Sequence, residues 1–130
     1  MSILIVDDNE MVRRGVVLLL SSRPALTVCG EAKSGEEAIL KAKQLNPGLV
    51  LMDVNMPGAN GLEIARKLRR EIPLTKIILM SLHAREQLLP RAIAAGADAC
   101  VDKVNLGTEL LPVIESLAGR SDARPGADAD

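Results

Sequence analysis

Three carboxylates, one hydroxyl and one ammonium stand at equivalent places in this sequence, each just past a short apolar run. Asp7 and Asp8 follow Ile3–Val6, and Asp53 follows Leu49–Met52. Ser81 follows Lys76–Met80, and Lys103 stands just beyond Ala99–Val101. If the runs are adjacent parallel strands, these groups converge on the edge formed by the strands' carboxyl ends. Three carboxylates a few ångströms apart repel one another, and at neutral pH some would take up protons. A divalent cation removes that conflict, and a hard oxygen set with space for water and phosphate suits Mg²⁺ or Mn²⁺. The cation would neutralise charge on an incoming phosphoryl group. Lys103 adds a positive point charge, and the Ser81 hydroxyl can hydrogen-bond a phosphoryl oxygen. Asp53 is then left as the nucleophile, forming an acyl phosphate. Phosphoryl transfer needs in-line positioning and charge neutralisation, and this set supplies both.

The elements that must position these groups are legible in the hydrophobic pattern. Leu26–Cys29 adds a fifth apolar run to the four above. Short, fully apolar runs suit parallel strands covered on both faces. Helical periodicity lies between them. About Asn9–Ser22, Val12, Val16, Leu19 and Leu20 share one face, and Gly15 inside it costs helix propensity while permitting close packing. Ser34 and Glu37 form a capping-box pattern for a second helix, which stops before Asn46-Pro47-Gly48. Gly61–Glu71 is a third, stopped by Pro73. About Arg85–Ala95 is a fourth, in which Pro90 predicts a kink or a late start. About Thr108–Leu117 is a fifth, with Pro112 near its first turn, where the lost N–H is cheaper. Strand and helix thus alternate five times. Right-handed crossovers make this a five-stranded parallel sheet, doubly wound, in the flavodoxin-like order 2-1-3-4-5 with five helices.

Composition sets the outer bounds. The 130 residues are 48% hydrophobic and 25% charged, enough for one domain with one real core. Lys plus Arg is 16 against 17 for Asp plus Glu, so no global positive excess is available for nucleic acid or an anionic membrane. Phe, Tyr and Trp are absent, which excludes base-stacking platforms and aromatic cages. Cys29 and Cys100 lack CxxC spacing and sit in apolar runs, which predicts buried free thiols. Asp7, Asp8 and Glu10 interrupt any reading of residues 1–20 as a signal peptide, and no apolar run approaches the roughly 18 residues needed to span a bilayer. The expected compartment is a reducing cytoplasm. Arg66, Lys67, Arg69 and Arg70 read as the solvated face of the third helix. Ser121–Asp130 lacks large apolar residues, so residues 120–130 read as a disordered tail or interdomain linker after a 1–119 domain.

With these residues in place, the sequence resembles a response-regulator receiver domain of two-component signalling. The resemblance covers about Ser2–Gly119 and is carried by ILIVDDNE (3–10), LVLMDVNMPGANGLE (49–63), KIILMS (76–81) and GADACVDK (96–103). It implies that Asp53 is the phosphoacceptor and that Asp7 and Asp8 are the acidic pair that binds Mg²⁺. Asn55 is then the position whose backbone carbonyl completes the metal site, Ser81 the switch hydroxyl and Lys103 the family's lysine. Pro57, Gly58 and Gly61 match the tight loop after the acceptor. Asn55 and His83 fall at loop positions that tune hydrolysis in relatives. The implied partner is a sensor histidine kinase, with a possible homodimer on phosphorylation and no direct nucleic-acid contact by this domain. The stretch from Met80 to Lys103 is similar to NarL/FixJ-type receivers, which usually precede a helix-turn-helix DNA-binding domain; the implied output is transcription.

Some positions depart from the family pattern. Cys100 stands at the switch position, three residues before the lysine, where Tyr or Phe is usual. A small thiol cannot transmit the switch as a rotating ring does. Val104 follows the lysine, where Pro or Asp is more common. Two rival readings are open. A haloacid-dehalogenase-like phosphohydrolase would need a second Asp two residues after the nucleophile, where this chain has Asn55. A phosphorylation-independent pseudo-receiver, a pure interaction module, draws its support from Cys100.

Overall fold

The chain alternates strand and helix from end to end. In the computed structural model, which describes residues 1–58, 60–82 and 85–119, the strands are β1 (Ser2–Val6), β2 (Thr27–Ala32), β3 (Leu49–Asp53), β4 (Lys76–Ser81) and β5 (Ala99–Asp102). The helices are α1 (Glu10–Leu20), α2 (Gly35–Leu45), α3 (Gly61–Glu71), α4 (Arg85–Ala94) and α5 (Leu106–Gly119). His83 and the 120–130 tail lie outside the described residues. The strands are all parallel, in the expected order β2-β1-β3-β4-β5.

Helix starts are set by side chains that satisfy the first amide groups. Asn9 caps α1 by accepting from Met11 N and Val12 N, and Asn60 does the same for Leu62 N and Glu63 N of α3. Ser34 accepts from Glu37 N, while the Glu37 carboxylate reaches back to Lys33 N. The Lys33 amide, with help from Lys41, holds the Glu37 carboxyl below its usual range. Asn46 ends α2 in the left-handed region, just before Pro47.

Side-chain alternation along the strands divides the core in two. Leu4, Val6, Val50, Met52, Ile77, Leu79 and Cys100 pack with α2, α3 and α4. Ile3, Ile5, Leu49, Leu51, Ile78, Met80 and Val101 pack with α1 and α5. A period of two carried past the strand ends puts Asp7, Asp53 and Lys103 in the second register and Ser81 in the first.

Several boundaries differ from the sequence expectation. β2 begins at Thr27 and continues through Gly30 and Glu31 to Ala32. It is an edge strand with an irregularity at Cys29, where Ile3 pairs Val28 and Leu4 pairs Gly30, so a continuous apolar run is not required. Cys29 is accordingly half-buried, whereas Cys100 is buried as expected. α4 begins at Arg85, so Pro90 does not delay it; the ring lies mid-helix and leaves the Glu86 carbonyl without its usual donor. α5 begins at Leu106, which places Pro112 in the second turn.

Arg69 also departs from the expectation of a solvated face. Its guanidinium donates to the carbonyls of Gly96 (2.9 Å), Pro73 (2.8 Å) and Thr75 (2.7 Å) and to Asp98 Oδ2 (2.8 Å). Asp98 Oδ2 also accepts from Ile77 N. One planar fork thus ties the end of α3 to the start of β4 and to the turn before β5, a geometry that lysine cannot reproduce.

Two glycines have opposite roles. A Cβ on Gly61 would lie 2.6 Å from Val54 Cα and 2.7 Å from Val54 O, so α3 can close on the loop after Asp53 only with glycine there. A Cβ on Gly15 would meet nothing within 4 Å, so close packing does not explain that residue. Gly61→Ala is therefore expected to destabilise the fold by about 1–3 kcal/mol. Gly15→Ala is expected to stabilise it by about 0.5–1 kcal/mol. Urea unfolding followed by circular dichroism checks both signs.

Candidate functional site

The strand register brings the acidic residues together. Val6 pairs with Met52, so the next residues along, Asp7 and Asp53, stand side by side at the carboxyl edge. Asp8 leaves the edge one residue later. Asp7, Asp8 and Asp53 each offer a carboxylate oxygen, and these oxygens lie within 4.8 Å of one another. Asp7 is fully buried and Asp53 is 3% exposed, whereas Asp8 faces solvent. From the far side of β4, Lys103 extends its stem so that Nζ stands 3.0 Å from Asp7 Oδ2 and 3.3 Å from Asp53 Oδ2. Asp7 Oδ1 accepts from Asn9 N at 2.9 Å, and Asp53 Oδ1 accepts from Asn55 N at 3.0 Å.

The electrostatics of this edge are unbalanced. Three carboxylates and one ammonium leave two negative charges when all are ionised. Burial, the largest effect, holds the Asp7 carboxyl above its usual range, and the nearby Asp53 charge adds to it; the Asn9 amide and Lys103 pull the other way. For Lys103, burial alone would lower the pKa, but the hydrogen bonds and charges of Asp7 and Asp53 outweigh it and the ammonium is held above its usual range. The donor set fits a hard divalent cation: three carboxylate oxygens, one on an exposed residue that leaves room for water, and a net charge that such an ion would cancel.

The remaining predicted residues surround this cluster. Ser81 ends β4 and is buried, with Asp102 as its register partner on β5. The Asn55 side chain accepts from Leu82 N at 3.4 Å, joining the loop after β3 to the loop after β4. A cleft of about 660 Å³ opens beside them, with Asn55, Ser81, Leu88 and Arg91 among its walls. Cys100 is 3% exposed and sits in the cluster that contains Leu88 and Ala92 of α4, on the opposite face from the carboxylates. No helix among the described residues is long and apolar enough to cross a membrane.

Arg13 and Glu31 also border this edge, with no signal in the sequence to mark them. Arg13 donates to the backbone carbonyl of Asp7 and to the Glu31 carboxylate. No signal in the sequence separates Arg13 from its neighbour Arg14.

Comparison with known proteins identifies the family of the fold. The model of the response regulator receiver domain family matches residues 3–115. Response regulator GacA of Pseudomonas protegens is 43% identical over 101 residues, covering 78% of this chain and 47% of the relative. Nitrate/nitrite response regulator protein NarL of Escherichia coli is 40% identical over 117 residues, covering 90% of this chain and 54% of the relative. Among solved structures, the signal receiver domain of the putative response regulator NarL from Mycobacterium tuberculosis superposes with a TM-score of 0.81 at 31% identity, covering 91% of this chain and 95% of that one. A DNA-binding response regulator of the LuxR family from Staphylococcus aureus gives 0.79 at 27% identity, covering 89% and 97%. The chain belongs to the response-regulator receiver family and is a receiver domain of the NarL/LuxR type. Phosphorylation by histidine kinases and dependence on Mg²⁺ are general to that family. The chain spans about half the length of the curated relatives it matches.

The raised Asp7 carboxyl carries a sign. A carboxyl whose folded pKa lies above its unfolded value stabilises the fold only while protonated. That contribution is present below the ordinary value of 3.8 and is lost as pH rises through the raised folded value. With a chelator present, Asp7→Asn is therefore expected to raise the urea midpoint at neutral pH, with the gain vanishing below about pH 3.8. A lower midpoint at pH 7 would contradict this account of the buried charge.

Proposed function

We propose that this chain accepts a phosphoryl group on Asp53 from the phosphohistidine of a sensor histidine kinase and thereby switches an output. A carboxylate oxygen of Asp53 attacks phosphorus in line. The new oxygen–phosphorus bond forms as the phosphorus–nitrogen bond breaks, and its electron pair returns to the donor's imidazole. Asp7, Asp8, Asp53 and the backbone carbonyl of Asn55 would hold Mg²⁺ (or Mn²⁺), which when bound supplies charge neutralisation for the phosphoryl oxygens. Lys103, already shared between Asp7 and Asp53, offers its ammonium to a phosphoryl oxygen once Asp53 is phosphorylated. Ser81 donates its hydroxyl to another, and Asn55 keeps the two flanking loops in register. The observation that carries this reading is the cluster of three carboxylates, two of which share the Lys103 ammonium.

The output is transcription, through a DNA-binding domain beyond this chain. The relatives of about twice its length and the DNA-binding LuxR-type regulator of the same fold support that assignment. Phosphorylation would also favour a homodimer. The signal passes from Ser81 into α4 by backbone movement, because the switch position is Cys100 and has no ring to rotate. The same residue favours a second reading, an interaction module that never takes phosphate.

Incubation with acetyl phosphate and Mg²⁺, followed by intact-protein mass spectrometry, separates the two. A gain of one phosphoryl group is expected, only with the metal and not in Asp53→Asn. Lys103→Met is expected to slow uptake by about 100-fold. No gain in folded, metal-loaded wild type would leave the interaction module as the function.

A further inference from the structure

Asp8 is the one exposed member of the acidic cluster, and no hydrogen bond or ion pair from a described residue holds its carboxylate. Its place within 4.8 Å of Asp7 and Asp53 therefore depends on the direction in which the backbone leaves β1. That direction is set at the Asp7–Asp8 peptide. The Asp7 N–H is fixed to Ala32 O of β2 at 3.0 Å, and the Asp7 carbonyl, which belongs to the peptide leading into Asp8, accepts from Arg13 Nη1 at 2.7 Å. Arg13 lies in the first turn of α1 and runs back over the loop, with 15% of its side chain exposed against 69% for Arg14 beside it. Its Nε donates to Glu31 Oε1 at 2.8 Å. Glu31 is itself tied down, since its carbonyl accepts from Lys41 Nζ of α2. Two hydrogen bonds in a fixed fork, anchored to a second strand, give the Asp7 carbonyl one orientation.

We propose that Arg13 is a positioning residue for the cation site: by gripping the Asp7 carbonyl it turns the Asp7–Asp8 peptide so that the Asp8 carboxylate meets those of Asp7 and Asp53. This rests on the reading that the three carboxylates hold a divalent cation. Charge and positioning act in opposite directions here. A guanidinium beside an acidic cluster repels an incoming cation, so removing it would tighten binding if charge alone mattered. Removing the grip would loosen binding, because an unaimed third ligand must be ordered each time the ion arrives. Glu31, which pairs with Arg13, already offsets much of the guanidinium charge.

The test is the Mn²⁺ affinity of the 130-residue chain, read from the electron paramagnetic resonance of the free ion, with urea unfolding in chelator as the stability control. Arg13→Met is expected to weaken Mn²⁺ binding by about tenfold, the effect typical of losing a residue that orients metal ligands. Arg13→Lys should keep part of the affinity, Glu31→Gln should weaken it by a smaller factor, and Arg14→Met should leave it unchanged. Equal or tighter binding by Arg13→Met overturns the proposal. If Arg13→Met does not fold, unchanged affinity in both Arg13→Lys and Glu31→Gln overturns it instead. A wild type that binds no Mn²⁺ would sink the cation reading together with this one. A wild type that binds Mn²⁺ and takes phosphate, beside an unaffected Arg13→Met, would remove the role of Arg13 alone.

Discussion

Mutual repulsion among Asp7, Asp8 and Asp53, held in check by Lys103, is the constraint on which the rest of this molecule depends. Two of the carboxylates are buried, where an unpaired charge is costly. They stay close only because the sheet leaves them no alternative: β1 and β3 are neighbours in register, and both are immersed in aliphatic side chains from two layers of helices. Hydrophobic burial thus does the electrostatic work of concentrating charge. The conflict makes the edge a place that favours a dication.

The same edge shows how much apparatus surrounds a small site. Asp7 is held by its N–H, its carbonyl and both carboxylate oxygens, through Ala32, Arg13, Asn9 and Lys103. Those contacts come from α1, β2 and the turn after β5, so a change in any of them reaches the acidic cluster. At the opposite edge Arg69 performs a comparable closure, tying three carbonyls and Asp98 into one fork. Both devices use arginine, whose planar donors can satisfy several acceptors while partly buried.

The core that carries these charges is aliphatic throughout, and this bears on the switch position. Cys100 lies in the layer shared with α4, on the far face of the sheet from Lys103. Ser81 follows the same register toward that layer, while Asp53 follows the other. Asp53 and Cys100 therefore lie on opposite faces of the sheet, and Ser81 and the loops after β3 and β4, joined by Asn55 and Leu82, are the link between them.

Much of this was legible in the sequence. Short apolar runs separated by helical periodicity specify a doubly wound parallel sheet, because strands buried on both faces admit little else. The placement of Asp7, Asp8, Asp53, Ser81 and Lys103 just past those runs follows from that architecture. Edge strand β2 was harder, since one open side tolerates Gly30 and Glu31 and the apolar signal stops early. Helix α5 starts at Leu106, two residues before the start that Pro112 suggests, with Leu106 packed against the core. What the tertiary structure alone decided is which of several identical residues does structural work. Arg13 and Arg14 are neighbours of one type on one helix, as are Arg69 and Arg70. Local sequence gives each pair the same propensity and charge. Only the packing of α1 against β2, and of α3 against the turn before β5, turns one member of each pair inward to acceptors supplied by distant segments.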